Sequence, residues 1–200
     1  MKASVPMISP LLRSDTQGHL LAQLLLTPER NRTLTELAAA VGTTMPTVHR
    51  EVERLIESGF ATERRSGRNR YISANTEHPL YTPVRQIIEY AYGPRAVLPP
   101  LLAPIAGVDE AYVYGSWAAR LSGEPGPDPA DIDVLVIGRP DRSAIYDAAA
   151  EASERLSRDV NIRSVSRAGW DSEADAFIRT LKSRPLVPLD LGALRSAGAA

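Results

Sequence analysis

Thr43–Ser73 reads "TTMPTVHREVERLIESGFATERRSGRNRYIS". Its first half has a helical period. Val48, Val52, Leu55 and Ile56 fall on one face, Thr44 is placed to cap, Pro46 suits a first turn, and Gly59 suits a stop. Its second half reads as two short strands around a turn at Ser66-Gly67. That hairpin carries Arg64, Arg65, Arg68 and Arg70 against one acidic residue, Glu63.

Upstream, "DTQGHLLAQLLLTPE" gives a first helix, with Asp15 as the expected cap and Leu20, Leu21, Leu24 and Leu25 as its apolar stripe. "TLTELAAAVG" gives a second, with Thr35 as the expected cap, Leu37, Ala38 and Val41 on one face, and Gly42 at its end. Two short helices joined by a tight turn form a helix-turn-helix signal. A basic hairpin after the third helix is suited to DNA phosphates.

Over about residues 15–75 the sequence resembles the winged-helix repressors of the ArsR and MarR type. The resemblance rests on "TMPTVHREVERLIESGF" followed by "RRSGRNRYI". It implies that the third helix enters the major groove of double-stranded DNA. Thr43, Thr44, Thr47, His49 and Arg50 would then face DNA, and Arg64, Arg65, Arg68 and Arg70 would grip the backbone. Read without the resemblance, these side chains are also consistent with a solvated helix face and ordinary surface charge. His49 stands at no ligand spacing from His19 or His78 and is read as a polar surface residue.

The charge is divided along the chain. Residues 1–74 carry 10 Lys/Arg against 7 Asp/Glu, and residues 75–200 carry 13 against 17. The difference, +3 against −4, suggests two jobs on one chain. There is no cysteine, which excludes disulfides, thiolate metal sites and a thiol nucleophile. No apolar stretch suits a signal peptide or a membrane span, so a soluble, cytoplasmic protein is expected. Residues 1–75 are read as the DNA-binding domain and 76–93 as a linker helix, "HPLYTPVRQIIEYAYG". Thr82 is the expected cap of that helix, Pro83 its first residue, and Gly93-Pro94 its end. It would pack on a neighbouring domain or on a second subunit, and a homodimer would fit a reader of symmetric DNA sites.

Residues 94–190 alternate strands and helices, and 191–200 form a tail expected to fray. "RAVLPPLLAPIAGV" reads as a helix interrupted by Pro99 and Pro100. "DEAYVYGS", "DIDVLVIG" and "DVNIRSVS" read as strands, and "WDSEADAFIRTLKSRP" as a closing helix. In "DIDVLVIG", strand alternation points Asp131 and Asp133 the same way. Two such carboxylates repel unless a cation joins them. Mg2+ suits them, because it prefers oxygen ligands and keeps substrate phosphates in its shell. Gly115-Ser116 stands where a strand meets a helix, with backbone N–H groups and a hydroxyl suited to phosphate. A solvated strand entrance is the alternative for the pair.

Gly-Ser, a short helix with small residues and arginine, and Asp-x-Asp before an apolar strand together resemble the polymerase-β-like nucleotidyltransferases. The likeness is strongest to the minimal nucleotidyltransferases, over about residues 95–190. The resemblance implies that Gly115 and Ser116 hold the triphosphate of an NTP and that Asp131 and Asp133 are the catalytic, Mg2+-binding carboxylates. Arg120 would contact phosphates or form a surface salt bridge. The fold class is therefore α+β: an N-terminal winged helix-turn-helix followed by a small nucleotidyltransferase-like α/β domain.

The chain departs from that pattern at the third carboxylate, where Asn161 stands. An amide can coordinate through its oxygen but takes no proton. Asp159 lies two residues earlier on the same strand face, roughly 6.5 Å away. Three readings remain: slow catalysis with two carboxylates, nucleotide sensing without turnover, or a relic serving as a partner surface. The first hypothesis is a DNA-binding regulator that binds Mg2+-nucleotide. The second is an active enzyme modifying a protein, RNA or small-molecule hydroxyl, as in toxin-antitoxin pairs. The third is a structural antitoxin-type binder of a cognate toxin. Trp117, Tyr112, Tyr114 and Trp170 read as packing residues.

Overall fold

Ser14 accepts the Gln17 N–H and opens α1 (Asp15–Leu25) in the computed structural model, which describes residues 11–172 and 175–192. Asp15 is thus not the cap. It sits in the first turn, where a carboxylate complements the helix dipole. β1 (Arg32–Thr33) and α2 (Leu34–Val41) follow. Thr33, rather than Thr35, caps α2. Its hydroxyl accepts from the Glu36 N–H at 3.3 Å, and the Glu36 carboxylate accepts from the Thr33 N–H at 2.7 Å. The glutamate three residues on selects Thr33, because only that spacing closes the reciprocal pair.

α3 (Met45–Glu57) begins after Thr44, with Pro46 in its first turn. β2 (Ala61–Ser66) and β3 (Asn69–Ala74) form the hairpin. Gly67 takes φ +60° in its tight turn, a conformation costly for other residues. The sheet order is β1-β3-β2, all antiparallel. Leu20, Leu24, Leu37, Val48, Val52 and Ile72 are buried at its centre.

α4 (Tyr81–Tyr92) begins one residue before Thr82, after Leu80, and has no side-chain cap. It belongs to the same core, through buried Tyr81, Ile88, Ala91 and Tyr92. The Tyr81 hydroxyl donates to the Leu25 carbonyl, and the Tyr92 hydroxyl donates to Asp15 Oδ1, both at 3.2 Å. Gly18 makes room for Tyr92, since a Cβ there would lie 1.9 Å from the phenol oxygen. The chain divides into two units between Ala96 and Val97.

α5 (Pro94–Leu102) runs through Pro99 and Pro100 without interruption. Each proline removes a helical N–H, and the burial of Leu98 and Leu102 offsets that loss. Then come β4 (Val108–Tyr114), α6 (Gly115–Leu121), β5 (Asp131–Gly138), α7 (Arg142–Leu156) and β6 (Asp159–Val165). α8 (Arg167–Ser172), α9 (Ala176–Lys182) and β7 (Val187–Pro188) close the described chain. The single helix expected over 170–185 is thus two, with residues 173 and 174 outside the described residues. So is the expected frayed tail from residue 193 onward.

The second sheet has the order β6-β5-β4-β7. β5 and β6 run parallel, with α7 as their crossover, and the remaining pairs are antiparallel. One face packs Val113, Ile132, Val134 and Val136 against α5, α6 and α7, with Trp117 among them. The other face packs Leu135 and Ile137 with Tyr112, Tyr114, Trp170 and Phe177. Strand alternation puts Asp131 and Asp133 on this second face.

Candidate functional site

The first candidate surface is α3 with the hairpin. Val48 and Val52 point into the core, so the opposite side of α3 faces outward. Thr44, His49 and Arg50 are exposed there, while Thr43 and Thr47 are half-buried. The Thr44 and Thr47 hydroxyls hydrogen-bond each other at 3.0 Å. On the hairpin, Arg64, Arg65 and Arg68 are exposed. Arg64 lies over the Tyr71 ring, 5.5 Å from its centroid.

Arg70 is placed differently. Its side chain is 19% exposed and is held between Glu53 of α3, on Nη1, and Glu63 of β2, on Nε. Hydrogen bonding to Arg70 holds the Glu53 carboxyl below its ordinary range, and bonding to Glu53 raises the Arg70 guanidinium. His49 Nε2 lies 3.5 Å from the same Glu53 carboxylate. Glu53 therefore ties the hairpin to α3 through Arg70, while Glu63 links β2 to β3, roles that sequence reading missed. The register gives one clue to the second, since Glu63 and Arg70 sit in nearby pairs on β2 and β3.

The second candidate site lies at the start of β5. Asp131 and Asp133 are half-buried. Burial, and then the Asp131 charge, raise the Asp133 carboxyl above its ordinary range, while the Asn161 amide opposes the rise. Register pairs Asp133 with Asn161, and Asp131 with Asp159, across β5 and β6. Asn161 Nδ2 donates to Asp131 Oδ2 at 3.0 Å. Asp159 is exposed at the head of β6.

Gly115 lies directly beside this pair. Its φ is +72°, and a Cβ built on it would stand 2.7 Å from Asp133 Oδ2. Only glycine meets both conditions without strain. Ser116 is exposed on the next residue. The Arg120 guanidinium lies against Gly126 of the following loop, and its Nε and Nη1 are buried without a hydrogen-bond partner.

Tyr114 and Arg163 complete the face. Burial and then the Asp133 charge raise the Tyr114 hydroxyl, Arg163 lowers it, and Asp131 adds a smaller rise. Register pairs Tyr114 with Asp133 across β4 and β5. Arg163 lies over the Phe177 ring at 3.9 Å, and Phe177 meets Tyr114 edge-on. Arg163 was absent from the sequence-based candidates, although its position two residues past Asn161 on a strand already placed it on the same face.

Among the described residues no three His, Asp or Glu side chains gather as a metal site. The oxygen donors of the pair are two carboxylates, since Asn161 presents its N–H to Asp131. This set fits a hard cation that takes its remaining ligands from water and phosphate, which is the habit of Mg2+. Among the described residues no helix is long and apolar enough to cross a membrane.

Residues 20–65 match the model of the IclR helix-turn-helix domain. With the α1-β1-α2-α3-β2-β3 arrangement, this makes the N-terminal unit a winged helix-turn-helix of the DNA-binding type used by transcriptional regulators. The chain is also similar to solved structures of MepR, a transcription regulator of the Staphylococcus aureus multidrug efflux pump MepA. One is 21% identical, with a TM-score of 0.33, covering 41% of this chain and 64% of that one. MepR in its DNA-binding conformation is 20% identical, with a TM-score of 0.34, covering 40% and 61%. A point mutant of MarR from E. coli is 17% identical, with a TM-score of 0.35, covering 43% and 62%. The chain thus spans less than two thirds of each of these proteins. No functionally curated protein matches it.

Proposed function

We propose that the chain is a DNA-binding transcriptional regulator whose second unit is a nucleotidyltransferase-like domain that holds Mg2+-nucleotide as a signal. DNA binding is supported by the helix-turn-helix match and by exposed Arg50, Arg64, Arg65 and Arg68. The nucleotide half rests on one observation above all, the close approach of Gly115 to Asp133 at φ +72°. It brings a backbone suited to phosphate against a half-buried acid pair that needs a cation. In this reading Asp131 and Asp133 hold Mg2+, while Gly115 and Ser116 hold the phosphates. Bound Mg2+ would supply charge neutralisation between carboxylates and phosphates.

Asn161 favours binding over transfer. Activating an acceptor hydroxyl requires a group that takes its proton, and an amide hydrogen-bonded to Asp131 takes none. The competing reading is transfer of a nucleoside monophosphate to a protein, RNA or small-molecule hydroxyl, as in toxin-antitoxin pairs. A homodimer is also part of the proposal. On α4, Ile87 and Tyr90 are 49% and 56% exposed and offer apolar surface to a second copy.

The test is a mobility shift on duplexes selected from a random pool, with and without each Mg2+-NTP. A salt-dependent, sequence-specific shift that Mg2+-NTP changes is expected. Absence of specific binding at moderate salt would remove the regulator reading. Label transfer from radiolabelled NTP that disappears in Asp131→Ala/Asp133→Ala would favour the enzyme instead.

A further inference from the structure

The geometry points to Arg163 as the cation that receives the nucleotide phosphates, so that the site binds one nucleoside triphosphate with a single divalent ion. This assignment rests on the Mg2+-nucleotide reading above. Arg163 stands on the sheet face of Asp131, Asp133 and Asn161, in register with Leu135. Its guanidinium lies over Phe177, 3.9 Å from the ring centroid. Such a contact holds the guanidinium in place and leaves N–H groups free to donate. Among the described residues no carboxylate lies within ion-pair distance of it. Arg163 is thus an exposed cation on the same sheet face as two carboxylates, paired with neither.

Charge explains the assignment to phosphate. Asp131 and Asp133 together cancel one divalent ion, so the loaded acid pair is neutral. The triphosphate then brings negative charge that this centre does not meet. A third carboxylate at position 161 would call for a further metal ion. Asn161 removes that demand, and Arg163, two residues on, supplies a fixed positive charge in its place. Arginine suits the task because its planar fork matches phosphate oxygens in pairs. Tyr114, paired in register with Asp133 and edge-on to the same Phe177 ring, is the neighbouring hydroxyl donor.

Calorimetric titration of the full chain with each of the four Mg2+-NTPs tests this, using wild type, Arg163→Ala and Arg163→Lys. Arg163→Ala is expected to weaken triphosphate binding by about tenfold to a hundredfold. Arg163→Lys should recover part of the loss, since it keeps the charge but not the fork. Arg163 is exposed, so unchanged thermal melts of the variants are expected and show that they fold. Arg163→Ala binding within twofold of a wild type that does bind would overturn the Arg163 assignment alone. Failure of Arg163→Lys to recover any affinity would also overturn it. A wild type that binds no Mg2+-NTP overturns the nucleotide reading, and Arg163 with it.

Discussion

Replacing Gly115 with alanine tests whether the backbone at the end of β4 is built around Asp133. Two costs are expected. At φ +72° an alanine carries left-handed strain of about 1–2 kcal/mol, partly offset by about 0.4–1 kcal/mol from a less flexible unfolded chain. The new Cβ would also stand 2.7 Å from Asp133 Oδ2. The carboxylate must swing off its rotamer, which adds about 0.5–1.5 kcal/mol. Gly123→Ala is the internal control, because Gly123 has φ +85° and a Cβ added there would meet no atom within 4 Å. It should cost the backbone strain alone. Both tryptophans, Trp117 and Trp170, lie beyond Ala96, so their fluorescence during urea unfolding reports on the second unit. Gly115→Ala should lower that transition by about 2 kcal/mol and Gly123→Ala by about 1 kcal/mol. Gly115→Ala should also weaken Mg2+-NTP binding at least about tenfold, as a displaced ligand requires, while Gly123→Ala leaves it unchanged. Equal destabilisation by the two variants, together with wild-type nucleotide affinity in Gly115→Ala, would refute the reasoning.

Alanine at Arg64, Arg65 or Arg68 should flatten the salt dependence of DNA binding, by up to roughly 0.9 in the log–log slope for each phosphate that is no longer neutralised. Arg70→Ala should leave that slope nearly unchanged, because Glu53 and Glu63 already hold its charge; anisotropy titrations across salt concentrations separate the two classes. Gly18→Ala should destabilise the first unit by about 1–3 kcal/mol in chemical denaturation, despite alanine's better helix propensity, because Tyr92 occupies the space. Hydrogen bonds from Thr33 hold the Glu36 carboxyl below its ordinary range, so its contribution is full above the unfolded-state pKa and is lost as pH falls through the lower folded value. The stability gap between wild type and Glu36→Ala should therefore narrow on acidification, as pH falls from neutral through and below the ordinary carboxylate range.

Periodicity carried the first unit. Leucines at helical spacing, Gly42 and Gly59 at helix ends, and a basic hairpin are enough to write three helices and a wing. What periodicity could not choose was between neighbouring residues of the same chemistry. "RTLTE" offers two threonines, and only the Thr33–Glu36 geometry separates them. β1 and β7 are two residues each, too short to show alternation. The acid pair was visible because two residues on one strand share a face by geometry alone. The pairing of Arg70 was not, because Glu53 lies 17 residues away. Charge counting makes that arginine a contact for phosphate, while the fold makes it a brace for the wing. Arg120 was named from a pattern, and its direction depended on a loop conformation that no local rule supplies.

Asn161 gives the acid pair a property that a third carboxylate would not. Two carboxylates on one face repel when no cation is present, and burial of Asp133 makes that repulsion worse. An amide donating to Asp131 and opposing the rise at Asp133 lowers the cost of the metal-free state. A carboxylate at the same position would add a third like charge and raise that cost. A sensor must be stable both empty and loaded, since its signal is the difference between the two populations. If the empty form were strongly strained, the ion would be retained at every nucleotide concentration and no signal would follow. In the proposed sensing role, an amide at this position would therefore also bring the two states closer in energy, as a nucleotide-dependent switch requires.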